Sequence, residues 1–170
     1  MTPLLRLPRS LFESIKDDLS RPHPIAAERV GFLYCRTSHH GMISLAYAYI
    51  PVKDENYEAD LTVGSCINSN AIREAMQRAI DFDDGVFHVH LHEHHGFPRF
   101  SGTDIQTLRK LVPSFRVVSL SNTHGGLVLS KESGSMVALK PDSRSLQSGA
   151  VSIVGYPSNI RGGFDGSRTS

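Results

Sequence analysis

The chain has no tryptophan and only two cysteines, Cys35 and Cys66, in 170 residues. Two thiols cannot build a disulfide framework, which excludes the small disulfide-stapled secreted domains. Both lie in or beside apolar segments, so buried free thiols in a reducing cytosol are expected. No run of about 18 apolar residues occurs, and no membrane span is expected. The opening MTPLLRLPRS has neither the long apolar core nor the cleavage site of a secretory signal. A charge excess is missing too: 18 Lys plus Arg face 17 Asp plus Glu. Without a basic stripe interleaved with aromatics, nucleic acid is not an expected partner. Regular strand–helix alternation and a Gly-rich phosphate loop are both missing, which argues against a doubly wound nucleotide fold. No internal repeat is evident.

What the chain does have is histidine, and it is concentrated. Five of nine lie in the stretch HVHLHEHHGFPRFSGTD, from His88 to Asp104. Gly85 to His92 reads as a strand, with a glycine boundary and β-branched and aromatic residues inside it. Alternation puts Phe87, Val89 and Leu91 on one face, which reads as core, and His88, His90 and His92 on the other. Two imidazoles at i and i+2 can converge on one ion. A loop follows, then Ser101-Gly102-Thr103-Asp104, then the apolar spacing Ile105, Leu108, Leu111, Val112, which predicts a helix. Asp104 falls in its first turn, where the helix dipole favours a carboxylate by about 0.3–1 kcal/mol. His90, His92 and Asp104 are therefore the candidate metal ligands. Such a set leaves a fourth position for water, which is the catalytic rather than the structural pattern for zinc. Ser-x-x-Asp before an apolar run is also an ordinary capping box, as Ser10-x-x-Glu13 is expected to be.

Around this stretch the patterning predicts a helix over Ser10–Leu19, with Leu11, Phe12, Ile15 and Leu19 on one face. Strands are predicted over Val30–Cys35, Met42–Val52 and Tyr57–Val63, and His39-His40-Gly41 reads as a turn. A helix capped by Ser69 or Asn70 runs to about Asp81 and buries Ala71, Ile72, Ala75, Met76, Ala79 and Ile80. After the helix that follows Asp104, strands are predicted over Phe115–Leu120, Leu127–Ser130, Met136–Leu139 and Val151–Val154. One domain over residues 1–155 and a mobile Gly/Ser-rich tail over 156–170 follow from this. The expected fold class is α+β: a mixed, curved sheet with helices packed on it, or an α-β-α sandwich.

These residues resemble the JAB/MPN metalloprotease domain and its JAMM motif. That motif is an upstream Glu, then His-x-His-Pro, then Ser-x-x-Asp seven residues on, counting the Pro. Ala27-Glu28-Arg29-Val30-Gly31-Phe32-Leu33 is similar to the segment carrying the family's Glu. His90-Leu91-His92 and Ser101-Gly102-Thr103-Asp104 are similar to the rest. Glu93 stands where the family has Pro, and eight residues rather than seven separate His92 from Ser101. Registers using His92 with His94, or His88 with His90, leave six and ten. The His90/His92 register needs a single-residue loop insertion and keeps both ligands on the strand.

The resemblance implies a zinc peptidase with one zinc ion per chain, cutting after the C-terminal glycine of a ubiquitin-like protein. The cut would release a conjugated target protein or process a precursor. It also points to the ubiquitin-like conjugation and antiphage systems of bacteria as a setting. Zinc on His90, His92 and Asp104 would bring its bound water toward a pKa of ~7. Glu28 would take the water proton and pass it to the leaving amine. Ser101 would donate to the developing oxyanion. Three other readings of the same residues are a zinc amidase acting on a small-molecule conjugate, a non-catalytic MPN scaffold, and a histidine-rich metal-storage module.

Overall fold

The structure is a computed structural model that describes residues 2–38 and 40–155. In chain order the elements are β1 (Leu4–Pro8), α1 (Arg9–Leu19), β2 (Val30–Ser38), β3 (Ile43–Pro51), a 3-10 turn (Asp54–Asn56), β4 (Tyr57–Glu58), β5 (Cys66–Ile67), α2 (Ser69–Phe82), β6 (Gly85–Leu91), α3 (Gly102–Val118), β7 (His124–Leu129), β8 (Gly134–Leu139) and β9 (Gln147–Val154). Seven of these strands close on themselves in the order β1-β3-β2-β6-β7-β8-β9. The expected α+β fold, a curved mixed sheet flanked by helices, is therefore incorrect. The described residues form a closed, mostly β barrel accompanied by three helices.

The strand that overturns the expectation is β1. Leu4–Pro8 carries no turn signal and lies among prolines, and nothing local marks it as sheet. It pairs in parallel with β3, Leu4 opposite Ile43, and along its full length with β9, Leu4 opposite Ala150 through Pro8 opposite Val154. Leu5 and Leu7 point inward and are fully buried. Without β1 the sheet would keep two open edges; with it the edges vanish.

The barrel interior holds Leu5, Leu7, Leu33, Phe87, Val89 and Leu127 among others, and α1 adds Phe12, Ile15 and Leu19 to the same cluster. The apolar stripe predicted for that helix therefore faces the barrel core. Its capping differs: α1 begins at Arg9 directly after Pro8, with no side-chain cap bond, so Ser10 does not act as a cap. Outside the barrel, α2 and α3 cover β2 and β6, burying Phe32, Tyr34, Ala71, Ala75, Leu111 and Phe115. Asn68, not Ser69 or Asn70, caps α2 by accepting from Asn70 N–H and Ala71 N–H.

Two further expectations fail for tertiary reasons. Phe115–Leu120 is not a strand, because α3 continues through Pro113 to Val118. Interior proline costs a helix about 3 kcal/mol. Burying Leu108, Leu111, Val112 and Phe115 against the barrel returns roughly 1.5–3 kcal/mol for each side chain, which outweighs it. Tyr57–Val63 is extended only at Tyr57–Glu58, which pairs with Cys66–Ile67 as a separate two-stranded flap. The two thiols also differ. Cys35 is buried, whereas Cys66 is only half-buried, on the flap. The turn at His40–Gly41 has positive φ at both residues. The tail expected over 156–170 lies outside the described residues, as does His39. No helix among the described residues is long and apolar enough to cross a membrane.

Candidate metal centre

The alternation of β6 settles the first question about the histidines. Phe87, Val89 and Leu91 all belong to the barrel-interior cluster, so His88, His90 and His92 share the outer face beneath α3. His90 is 3 % exposed. Its ring centroid is 5.0 Å from that of His92 and 6.1 Å from that of His88.

The carboxylate of Glu28 arrives by strand register. β2 runs antiparallel to β6 with Val30 opposite His90. Continuing that register two residues outward sets Glu28 opposite His92, with both side chains on the outer face. The approach is braced at several points. Glu28 N–H donates to Gly64 O at 2.9 Å. The neighbouring Arg29, almost fully buried, donates to Arg21 O and Pro22 O, each at 2.9 Å, and to Asp54 Oδ1 at 2.6 Å. Gly64 leaves room for the base, since a Cβ there would lie 2.7 Å from Glu28 Oε2. Glu28, His90 and His92 end with one ligand atom each, all within 4.8 Å of one another. This trio could hold a metal ion.

Asp104 meets one member of the trio, His90, from the start of α3. Ser101 is the N-cap of α3, and the capping box is complete. Asp104 Oδ2 accepts the Ser101 N–H at 2.6 Å, and Ser101 Oγ accepts the Asp104 N–H at 3.1 Å. The same Oδ2 stands 3.5 Å from His90 Nε2. The cap thus holds the carboxylate facing the imidazole.

The surroundings shift Asp104, His92 and His88 in identifiable directions. Burial would raise the Asp104 carboxyl, but the His90 imidazole and the Ser101 N–H outweigh it and hold the group below the usual carboxylate range. Burial, helped by His90, pushes the His92 imidazole down, against the opposing pull of Glu28. Burial pushes His88 down to about 3. A His92 imidazole pushed toward its neutral form and an Asp104 carboxyl held ionised are in the ligating forms. The atom that tests the fit is His90 Nε2. It is buried and has no hydrogen-bond partner among the described residues, and its 3.5 Å separation from Asp104 is too long for a good bond. An unpaired buried polar atom costs roughly 1–3 kcal/mol, and a cation between these side chains would remove that cost.

The structure therefore brings together Glu28, His90 and His92, sets Asp104 against His90, and places Ser101 at the same helix start. The sequence reading takes Asp104 as third ligand and Glu28 as base; in the structure it is Glu28 that completes the group within 4.8 Å, while Asp104 meets His90 alone, at 3.5 Å. His88 is next to the trio and packs edge-on against Phe32. His94 and His95 are exposed on the following loop, with the His94 ring 5.9 Å from that of His92. Two hollows lie nearby, and only the second is lined by members of the trio. One of about 450 Å³ is lined by His88, Cys66, Asp60, Lys110 and Ser114. The other, about 380 Å³, is lined by Leu19, Ala27, Glu28, His92 and Glu93. Gly64 and Arg29, which brace Glu28, carry no sequence signal of their role, since each acts through a neighbour remote in the chain. No family model matches this chain, and no curated protein matches it.

Proposed function

We propose that this protein is a zinc-dependent peptidase of the JAMM type, cutting after the C-terminal glycine of a ubiquitin-like protein. The reading rests on the residues of the site and not on the fold. The observation that carries it is the meeting of Glu28 with His90 and His92, ligand atoms within 4.8 Å, while Asp104 faces His90 at 3.5 Å. Two imidazoles and carboxylates suit zinc among the common divalent ions. His90, His92 and Asp104 would hold it, and when bound it supplies Lewis acidity and an acidified water. Glu28 then receives the water proton and returns it to the departing amine. Its carboxylate keeps its place because Gly64 has no side chain to crowd it. Ser101 donates its hydroxyl proton to the oxygen of the scissile carbonyl as charge develops there, a contact of the kind worth about 10²–10³ in rate.

Two free thiols and the lack of a disulfide framework support a cytoplasmic setting, and the bacterial ubiquitin-like conjugation systems are the setting we infer. A second reading is favoured by the 450 Å³ hollow beside His88, which falls within the size range of small-molecule sites. On that reading the same centre cleaves the amide of a small-molecule conjugate. The deciding experiment offers the zinc-loaded protein two substrate sets: ubiquitin-like proteins extended beyond their C-terminal glycine, and a panel of small amides. Cleavage of an extended protein at that glycine is the expected result. Turnover of small amides alone would replace the peptidase by the amidase, and turnover of neither, with zinc bound, would end both.

A further inference from the structure

The segment between the two halves of the centre has little to hold it by packing. Residues 93–97 and 99 are exposed, and Pro98 alone of residues 93–100 is buried. Yet this loop must deliver Ser101 and Asp104 to His90, and Gly96 takes a positive φ of 87° within it. Phe100 anchors its far end against Leu108, Val112 and the His90 ring; residues 94–98 are held by polar contacts from the β7–β8 turn and the start of β8. Glu132 receives the Gly96 N–H on Oε1 at 2.7 Å, and its Oε2 pairs with His95 Nδ1 at 2.7 Å. Ser130 Oγ and Ser133 Oγ both donate to Gly96 O, at 2.7 and 2.8 Å. Lys131 N–H donates to His94 O at 3.1 Å, and Ser135 Oγ donates to Pro98 O at 2.6 Å. Six contacts from residues 130–135 thus grip residues 94–98.

We propose that this β7–β8 turn is a clasp that sets the metal affinity of the centre, with Glu132 as its principal positioning residue. This rests on the metal-centre reading, though not on the identity of the substrate. Glu132 itself touches neither the trio nor Asp104. It acts by fixing the path of the loop, so that strand ligands and helix-start ligand are already converged before an ion arrives. Convergence that need not be organised at binding appears as affinity. Glu132 is the principal partner because its two oxygens answer the Gly96 amide and the His95 ring separately.

The test compares the whole chain with E132A and E132Q by zinc titration against a competing chelator, amide exchange at Gly96, and thermal melting of the metal-free proteins. E132A should weaken zinc about 10-fold and expose the Gly96 amide to faster exchange. Its metal-free melting temperature should stay close to that of the parent, because Glu132 is a surface residue. E132Q should bind zinc nearly as tightly as the parent, since the amide oxygen still accepts from Gly96 and the amide nitrogen can donate to a neutral His95. Parent-like zinc affinity in E132A would overturn the clasp, as would an E132Q defect equal to that of E132A. If zinc affinity responds as expected but no peptide or amide is cut, the clasp stands and the hydrolase reading falls. A parent chain that takes up no zinc overturns both.

Discussion

At the scale of single residues, the centre depends on which carboxylate does what. Asp104 is tied into the α3 cap through Ser101 and faces His90, and Glu28 stands beside both imidazoles at ligand distance. That division predicts different outcomes for isosteric changes. Glu28→Gln should retain one zinc per chain, measured by elemental analysis, and lose at least about 10²-fold in turnover, the lower bound of general-base contributions. Loss of zinc instead would make Glu28 a ligand. His90→Ala should lose the metal outright.

A second residue-scale prediction concerns acid. His124 is fully buried, its Nδ1 accepting from Val86 N–H and its Nε2 bonded to Ser119 O. Burial pushes its pKa down to about 4, against an ordinary value near ~6.5. Between these values the unfolded chain binds the proton and the folded chain does not. Stability is therefore fully present above about pH 6.5 and falls as pH drops toward 4. Urea midpoints measured across that range should decline. In His124→Asn, which keeps an acceptor for Val86 but does not titrate, the decline should be shallower and the neutral-pH stability lower.

At the scale of elements, the flap of β4 and β5 and the start of α3 act on the centre from opposite sides. The flap meets Glu28 at Gly64, and an added methyl there collides only with the movable end of a side chain. Gly64→Ala should therefore leave thermal stability nearly unchanged while displacing the base. A misplacement near 1 Å costs on the order of 10²-fold in rate, so kcat should fall with zinc content intact. A full loss of folding would show that the glycine serves the fold rather than the base. On the other side, Ser101→Ala removes the cap and should cost about 1 kcal/mol of stability, read by urea denaturation, in addition to its effect on turnover.

At the scale of the molecule, the barrel exists because a five-residue strand near the start of the chain joins β3 to β9. Leu5→Ala, at a fully buried position, should cost about 2–5 kcal/mol and should lower the melting temperature of the whole protein as one transition. Because α1 packs into the same interior, its apolar stripe should unfold together with the barrel. A separate, earlier melting of β1 would show that closure is dispensable.

The sequence by itself determined what is local and periodic. The alternation in β6, the stripe of α1, the helix after Asp104 and its Ser101 cap were all legible, because a residue's neighbours at i+2, i+3 or i+4 carry that information. His90 and His92 could be paired from one short stretch, but the group within ligand distance takes Glu28 as its third member, and Asp104 is set against His90 alone. Glu28 was named through a resemblance, and only the β2–β6 register brought it to His92. The closure of the barrel by Leu4–Pro8, the run of α3 through Pro113, and the shortening of the Tyr57 strand into a flap were decided by tertiary structure alone. Each turns on a partner far away in the chain: β9 for the first, the outer face of β2 and β6 for the second, Cys66–Ile67 for the third. Pairing and burial energies of that kind override local propensity, and no window of neighbouring residues contains them.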